Sequence, residues 1–166
     1  MRAVVCSELG MPDKLNLVDD WPDPEPGPDD VVIDVKAAGL NFPDVLIIQG
    51  KYPIQPELPF VPGGEFSGVV SAVGDNVTAY KPGDRVLSMG STGAFCERVA
   101  VHQAAVFPMP STLEFEQAAG ISITYFTSYY ALKQRAALQP GETLLVLGAA
   151  GGVGTTAVEL GKLMGA

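Results

Sequence analysis

Soft metal ligands and basic runs are scarce in this chain, and their scarcity removes several kinds of protein. Its 166 residues include two cysteines and one histidine. Cys6 and Cys96 are too few and too far apart for a disulfide framework, which fits a reducing compartment. With His102 they sit at no ligand-like spacing, so no metal site is expected. Ten basic side chains face nineteen acidic ones, for a net charge of −9. No Lys/Arg run could track a phosphate backbone, so nucleic acid is not an expected partner. Residues Gln117 to Leu132 and Thr143 to Val158 are the longest charge-free stretches. Both carry hydroxyls and glycines and fall short of the ~20 apolar residues that span a bilayer. Met1 to Glu8 reaches an acid before a signal-peptide core of ~7–15 apolar residues could form. The reading is a mature, soluble, cytoplasmic protein.

What is present is an apolar content of 47%, enough for one domain and a piece of another. Through the first hundred residues, short apolar and polar bursts alternate between turn-forming clusters, the pattern of a β-rich domain. Strands are predicted at Arg2 to Cys6, Leu15 to Val18, Val31 to Ala37, Phe66 to Val73, Arg85 to Met89 and Phe95 to Val101. In the third of these, Ile33 and Val35 alternate with Asp34 and Lys36. Pro22 to Pro28 is proline-rich and lacks the N–H groups of a central strand, so it is read as an extended connector. After Pro110 the period changes. Ser111 and Glu114 have the spacing of a capping box, which predicts helix from there to about Leu138, with a break at Gly120. Pro140-Gly141 marks a turn, Thr143 to Leu147 a strand buried on both faces, and Gly152 to Met164 a helix. The expected boundary divides residues 1–120 from 121–166. With no later strand to pair with Thr143 to Leu147, the β-α-β unit is read as incomplete and the chain as part of a longer protein.

A strand, then Gly148-Ala149-Ala150-Gly151-Gly152-Val153-Gly154, then a helix is the setting of a dinucleotide fingerprint. Gly151 would let the backbone approach a pyrophosphate, Gly154 would let the helix pack closely on the strand, and the helix N-terminus would face the phosphate charge. Ala149 departs from the strict G-x-G-x-x-G pattern, and no Gly-Lys-Ser/Thr makes it a Walker loop. A glycine-rich turn that binds nothing is the other reading. The residue that separates NAD from NADP lies ~20 positions beyond such a loop, past Ala166.

Five segments together carry a family resemblance: Ala38 to Asp44, Gly50 to Pro53, Pro62 to Val70, Lys81 to Val86 and Ala149 to Gly154. From end to end the chain resembles the zinc-free quinone oxidoreductase (zeta-crystallin-like) branch of the medium-chain dehydrogenases/reductases. The resemblance implies an α/β protein: a GroES-like β-rich domain, then the beginning of a Rossmann domain, with NADPH bound between them. It also implies a homodimeric parent protein acting on a small molecule, a quinone or enone. Zinc-dependent relatives place cysteine at the position of Asn41 and histidine at that of Gly64, which points to a metal-free reaction here.

Hydride transfer to a quinone or conjugated enone builds negative charge on a carbonyl oxygen, and a neutral donor must receive it. Tyr52 is one candidate, against a reading as a loop tyrosine packed beside Pro53 and Pro56. Asn41-Phe42-Pro43-Asp44 reads as an N-cap, a first-turn proline and an acid favourable to the helix dipole. The resemblance adds that Asn41 and Asp44 serve the catalytic site, with the Asn41 amide against nicotinamide or substrate. It also gives Thr127 and residues Ala150, Gly151, Gly152, Val153 and Gly154 to the cofactor. Many relatives have a tyrosine where Leu46 stands. Phe126, Tyr129 and Tyr130 are read as core, and His102 as structural or surface. Two other readings stay open: an enoyl-thioester reductase of the same fold, and a non-catalytic cofactor-binding or structural protein.

Overall fold

A computed structural model describes residues 1–166. The chain divides into two compact units, Met1–Gly120 and Ile121–Ala166. The α/β class expected of the sequence is the one observed, with strands concentrated in the first unit.

In the first unit, β1 (Ala3–Cys6) and β2 (Leu15–Val18) pair as an antiparallel hairpin. Five further strands make an antiparallel sheet: β3 (Asp30–Gly39), β4 (Glu65–Val73), β5 (Arg85–Met89), β6 (Arg98–His102) and β7 (Val106–Pro108), in the order β6-β3-β4-β5-β7. Val31, Ile33, Phe66, Val70, Val86 and Val106 meet in its core. Each such side chain contributes about 1.5–3 kcal/mol when taken fully out of water. Because β3 lies between β4 and β6, alternation alone does not describe it. Val31, Val32 and Ile33 are all buried, and register shifts at Val32/Ile33 and Val35/Ala37 interrupt the period. Such bulges bend a strand and re-aim the residues beyond them. Helix α1 (Phe42–Ile48) comes directly after β3, and its Ile47 and Ile48 pack on Cys6 and Phe60. The proline-rich segment forms no strand, as its missing donors require.

Beyond shifts of one or two residues at strand ends and the unexpected β7, three boundaries differ from expectation. The strand sought at Phe95 to Val101 begins only at Arg98, because Cys96 instead forms an isolated bridge to Ala3. The capping box lies three residues later than Ser111. Helix α2 (Phe115–Ala118) has Glu114 as its N-cap, and the Glu114 N–H donates to Gln117 Oε1 at 3.1 Å. The Ser111 region is a turn held by Leu113 N–H donating to the Pro110 carbonyl. The helical stretch is broken at Gly120, as read, but stops short of Leu138.

In the second unit, α3 (Ser122–Tyr129) runs into a wide turn over Tyr130–Arg135, where Ala136 N–H reaches back five residues to the Ala131 carbonyl. Ala137, at φ 51°, ends it in the left-handed region. Helix α4 (Gly152–Leu163) packs on α3 through hydroxyls. Ser128 Oγ lies 2.7 Å from Thr156 Oγ1, and Thr156 Oγ1 donates to the Thr124 carbonyl at 3.1 Å. Of the nearby aromatics Tyr125 joins the seam, its hydroxyl donating to Glu159 Oε2 at 2.6 Å. Phe126, Tyr129 and Tyr130 are exposed, against the expectation that they form core. Thr143 to Leu147 is not a strand, since it has no ladder partner. It keeps the period of one: Leu144 and Val146 are half-buried, while Leu145 and Leu147 are 81% and 88% exposed. Only one face is covered, with Leu144 lying over Gly161 of α4.

Candidate functional site

The end of β3 and the start of β4 bring two polar side chains together. Gly39 and Glu65 are register partners, and Asn41 follows two residues later as the N-cap of α1, in extended conformation. A methyl group at Gly39 would lie 2.6 Å from Glu65 Oε1 and 2.6 Å from the Ala119 carbonyl, so glycine is what admits the acid here. Asn41 Nδ2 donates to Glu65 Oε1 at 2.8 Å. Glu65 is 1% exposed and Asp44 3%.

Asp44 takes the place in the first turn that its spacing predicts. The Asn41 N–H donates to Asp44 Oδ2 at 2.7 Å, and Pro43 occupies the first turn. Burial pushes the Asp44 carboxyl above the usual range, and N–H bonds from Asn41 and Gly64 oppose that rise. By accepting from both, Asp44 ties the start of α1 to the loop that leads into β4.

Tyr52 lies beyond the opposite end of α1. Its ring packs, half-buried, on the cluster of Cys6, Ile47, Ile48 and Phe60 with Leu15. The packing is therefore with the helix end and the hairpin.

In the second unit, Ala149, Ala150, Gly151, Gly152 and Val153 are exposed and Gly154 is half-buried. Gly151 is the N-cap of α4, at φ −80°. The glycines differ in what they admit. A methyl at Gly154 would run into the Gly148 carbonyl and Ala149 Cα, so packing demands glycine there. One at Gly151 would come no closer than 3.6 Å, to the Gly148 carbonyl. Neither packing nor backbone explains why Gly151 lacks a side chain. The first-turn N–H groups of α4 have no intrahelical acceptor and carry the positive end of the helix dipole. The arrangement suits an anion such as a pyrophosphate. Thr127 is exposed on α3, next to the inward-turned Ser128.

His102 ends β6, where its Nδ1 accepts the Ala104 N–H at 3.1 Å, a structural role. No three His, Cys, Asp or Glu side chains gather as a metal site would require. No helix is long and apolar enough to cross a membrane. Sequence reasoning assigned no role to Glu65. The available signal was an acid opening the largely apolar, otherwise uncharged Glu65-Phe66-Ser67-Gly68-Val69-Val70 run.

Residues 27–111 match the alcohol dehydrogenase GroES-like domain. The chain belongs to that family. Its relatives place it among quinone oxidoreductase homologues of the medium-chain dehydrogenases/reductases. Human quinone oxidoreductase is 41% identical over 99% of this chain and 50% of its own length. A quinone oxidoreductase-like protein 2 homolog of Nematostella vectensis is 46% identical over 96% of this chain and 43% of its own. The structure of Escherichia coli quinone oxidoreductase complexed with NADPH superimposes with a TM-score of 0.92 at 33% identity, covering 99% of this chain and 50% of that one. The chain thus spans about half the length of the relatives it matches.

Proposed function

We propose that the whole protein is an NADPH-dependent oxidoreductase that delivers hydride to a quinone or an α,β-unsaturated carbonyl compound without a metal ion. The observation that carries this reading is Gly151: an N-cap glycine at a helix dipole, with room for a methyl group inside the chain and therefore free to serve something outside it. The NADPH complex of the Escherichia coli relative supports the choice of cofactor. Residues Ala150 to Gly154 hold the pyrophosphate, and Thr127 contacts the cofactor.

When bound, NADPH supplies the hydride, and negative charge then develops on the carbonyl oxygen of the substrate. Asn41 is the neutral donor that receives this charge, and Tyr52, from beyond the other end of α1, delivers a proton through water. Asp44 positions Asn41 by holding its backbone N–H. The metal-free assignment rests on the donor set, since Asn41 and Gly64 offer neither thiolate nor imidazole. A cytoplasmic homodimer is the corresponding reading of the whole protein.

The test is oxidation of NADPH by the whole protein with a simple quinone, a conjugated enone and an enoyl-CoA as acceptors. Turnover with quinone or enone is expected, and Tyr52→Phe should lower kcat about a hundredfold while leaving NADPH affinity intact. Turnover of the enoyl-CoA alone would identify an enoyl-thioester reductase. Binding of NADPH without turnover of any acceptor, unchanged in Tyr52→Phe, would identify a non-catalytic protein.

A further inference from the structure

We infer that Glu65 is a positioning residue that fixes which edge of the Asn41 amide is turned toward a ligand; the inference rests on the function proposed above. An asparagine amide has a donor edge and an acceptor edge of nearly the same shape, so packing alone does not choose between them. A carboxylate offers only acceptors. With Glu65 Oε1 at 2.8 Å, the Asn41 edge facing it must be the NH2. The reverse orientation would set two acceptors against each other inside the protein.

Nδ2 carries two protons. One is committed to Glu65, and the other lies in the amide plane, directed away from it. Asn41 is only partly buried, and the second N–H, turned away from Glu65, is then the donor for a carbonyl oxygen, the group on which charge develops in the proposed reaction.

The local structure leaves Glu65 little freedom to release the amide. It opens β4, paired to Gly39 on one side and Met89 on the other, and its Oε1 lies where a Gly39 side chain would be. Capping of α1 accounts for the Asp44 bond to the Asn41 backbone and makes no demand for a second acid. A carboxyl group that is 1% exposed is costly to bury. Its acceptor-only character gives a reason for its use where glutamine would also fit.

Glu65→Gln tests this, because the new amide can pair with Asn41 in either sense. In the whole protein, with NADPH and a quinone, kcat should fall about tenfold, NADPH KM should stay within about twofold, and the melting temperature should hold. Combining Asn41→Asp with Glu65→Gln reverses the pair. The bond is kept, but the outward donor is lost, so melting temperature should match wild type while kcat stays low. A Glu65→Gln kcat within about twofold of wild type, or recovery of turnover in the reversed pair, would overturn the inference. The side-chain amide resonances of Asn41 give a readout independent of turnover. One Nδ2 proton should be shifted downfield in wild type and lose that shift in Glu65→Gln; an unchanged resonance would also overturn it. Wild-type protein without turnover of any acceptor would instead sink the proposed function and leave the resonance test to decide this inference.

Discussion

Cys96 shows how a single residue can set a pH dependence without belonging to the site. Its thiol donates to the Gly93 and Arg98 carbonyls at 3.1 Å and 2.9 Å. Burial is the main cause that pushes it from an ordinary 9.0 up to about 11, the Arg98 backbone N–H opposing the rise and the Glu97 charge adding to it. Folding therefore favours the neutral thiol. That preference is fully present below pH 9.0 and is lost as pH rises toward about 11. The urea midpoint should decline across this alkaline window. Cys96→Ser keeps a donor that does not titrate there and should flatten the decline; an equally steep curve would contradict the assignment. Residue-scale features were unevenly legible. The role of Asp44 was readable because a cap and its acid lie three residues apart. The role of Glu65 was not, because its bond to Asn41 crosses 24 residues and depends on the β3–β4 register.

At the scale of elements, the α4 N-terminus separates a glycine needed for folding from one available for binding. Gly154→Ala should destabilise the protein by about 1–3 kcal/mol, since its methyl meets backbone of the preceding loop, and should weaken NADPH binding as well. Gly151→Ala adopts the same φ without strain and meets nothing closer than 3.6 Å. Its melting temperature should stay level or rise slightly. Its NADPH Kd, measured by calorimetry on the whole protein, should nevertheless increase about tenfold or more. If both variants lose stability together, or if Gly151→Ala binds normally, the loop is a structural turn. The glycine pattern was visible in sequence, but the division of labour between its members needed the position of Gly148 behind them. Local ambiguity also explains the misplaced start of α2. Ser111/Glu114 and Glu114/Gln117 share the capping-box spacing, and the turn at Pro110 to Leu113 decides between them.

For the whole molecule, the second unit presents an apolar face that its own residues do not cover. Leu145 and Leu147 are 81% and 88% exposed. Each leucine forgoes about 1.5–3 kcal/mol while it stays in water, and the extended segment that carries them offers unpaired backbone donors and acceptors, which invites association. The period-two pattern of Thr143 to Leu147 was legible. Which faces are covered was not, because burial depends on what else packs there. The relatives the chain matches are about twice as long. Residues 1–166 expressed alone should therefore self-associate in sedimentation, bind an apolar dye, and hold NADPH more weakly than micromolar. Leu145→Thr with Leu147→Thr should reduce self-association and dye binding without restoring affinity, because a threonine pair removes the adhesive face but adds nothing to the cofactor site. A monomeric 1–166 chain with micromolar NADPH affinity would show instead that the loop and α4 are sufficient by themselves, and that the exposed leucines have no bearing on binding.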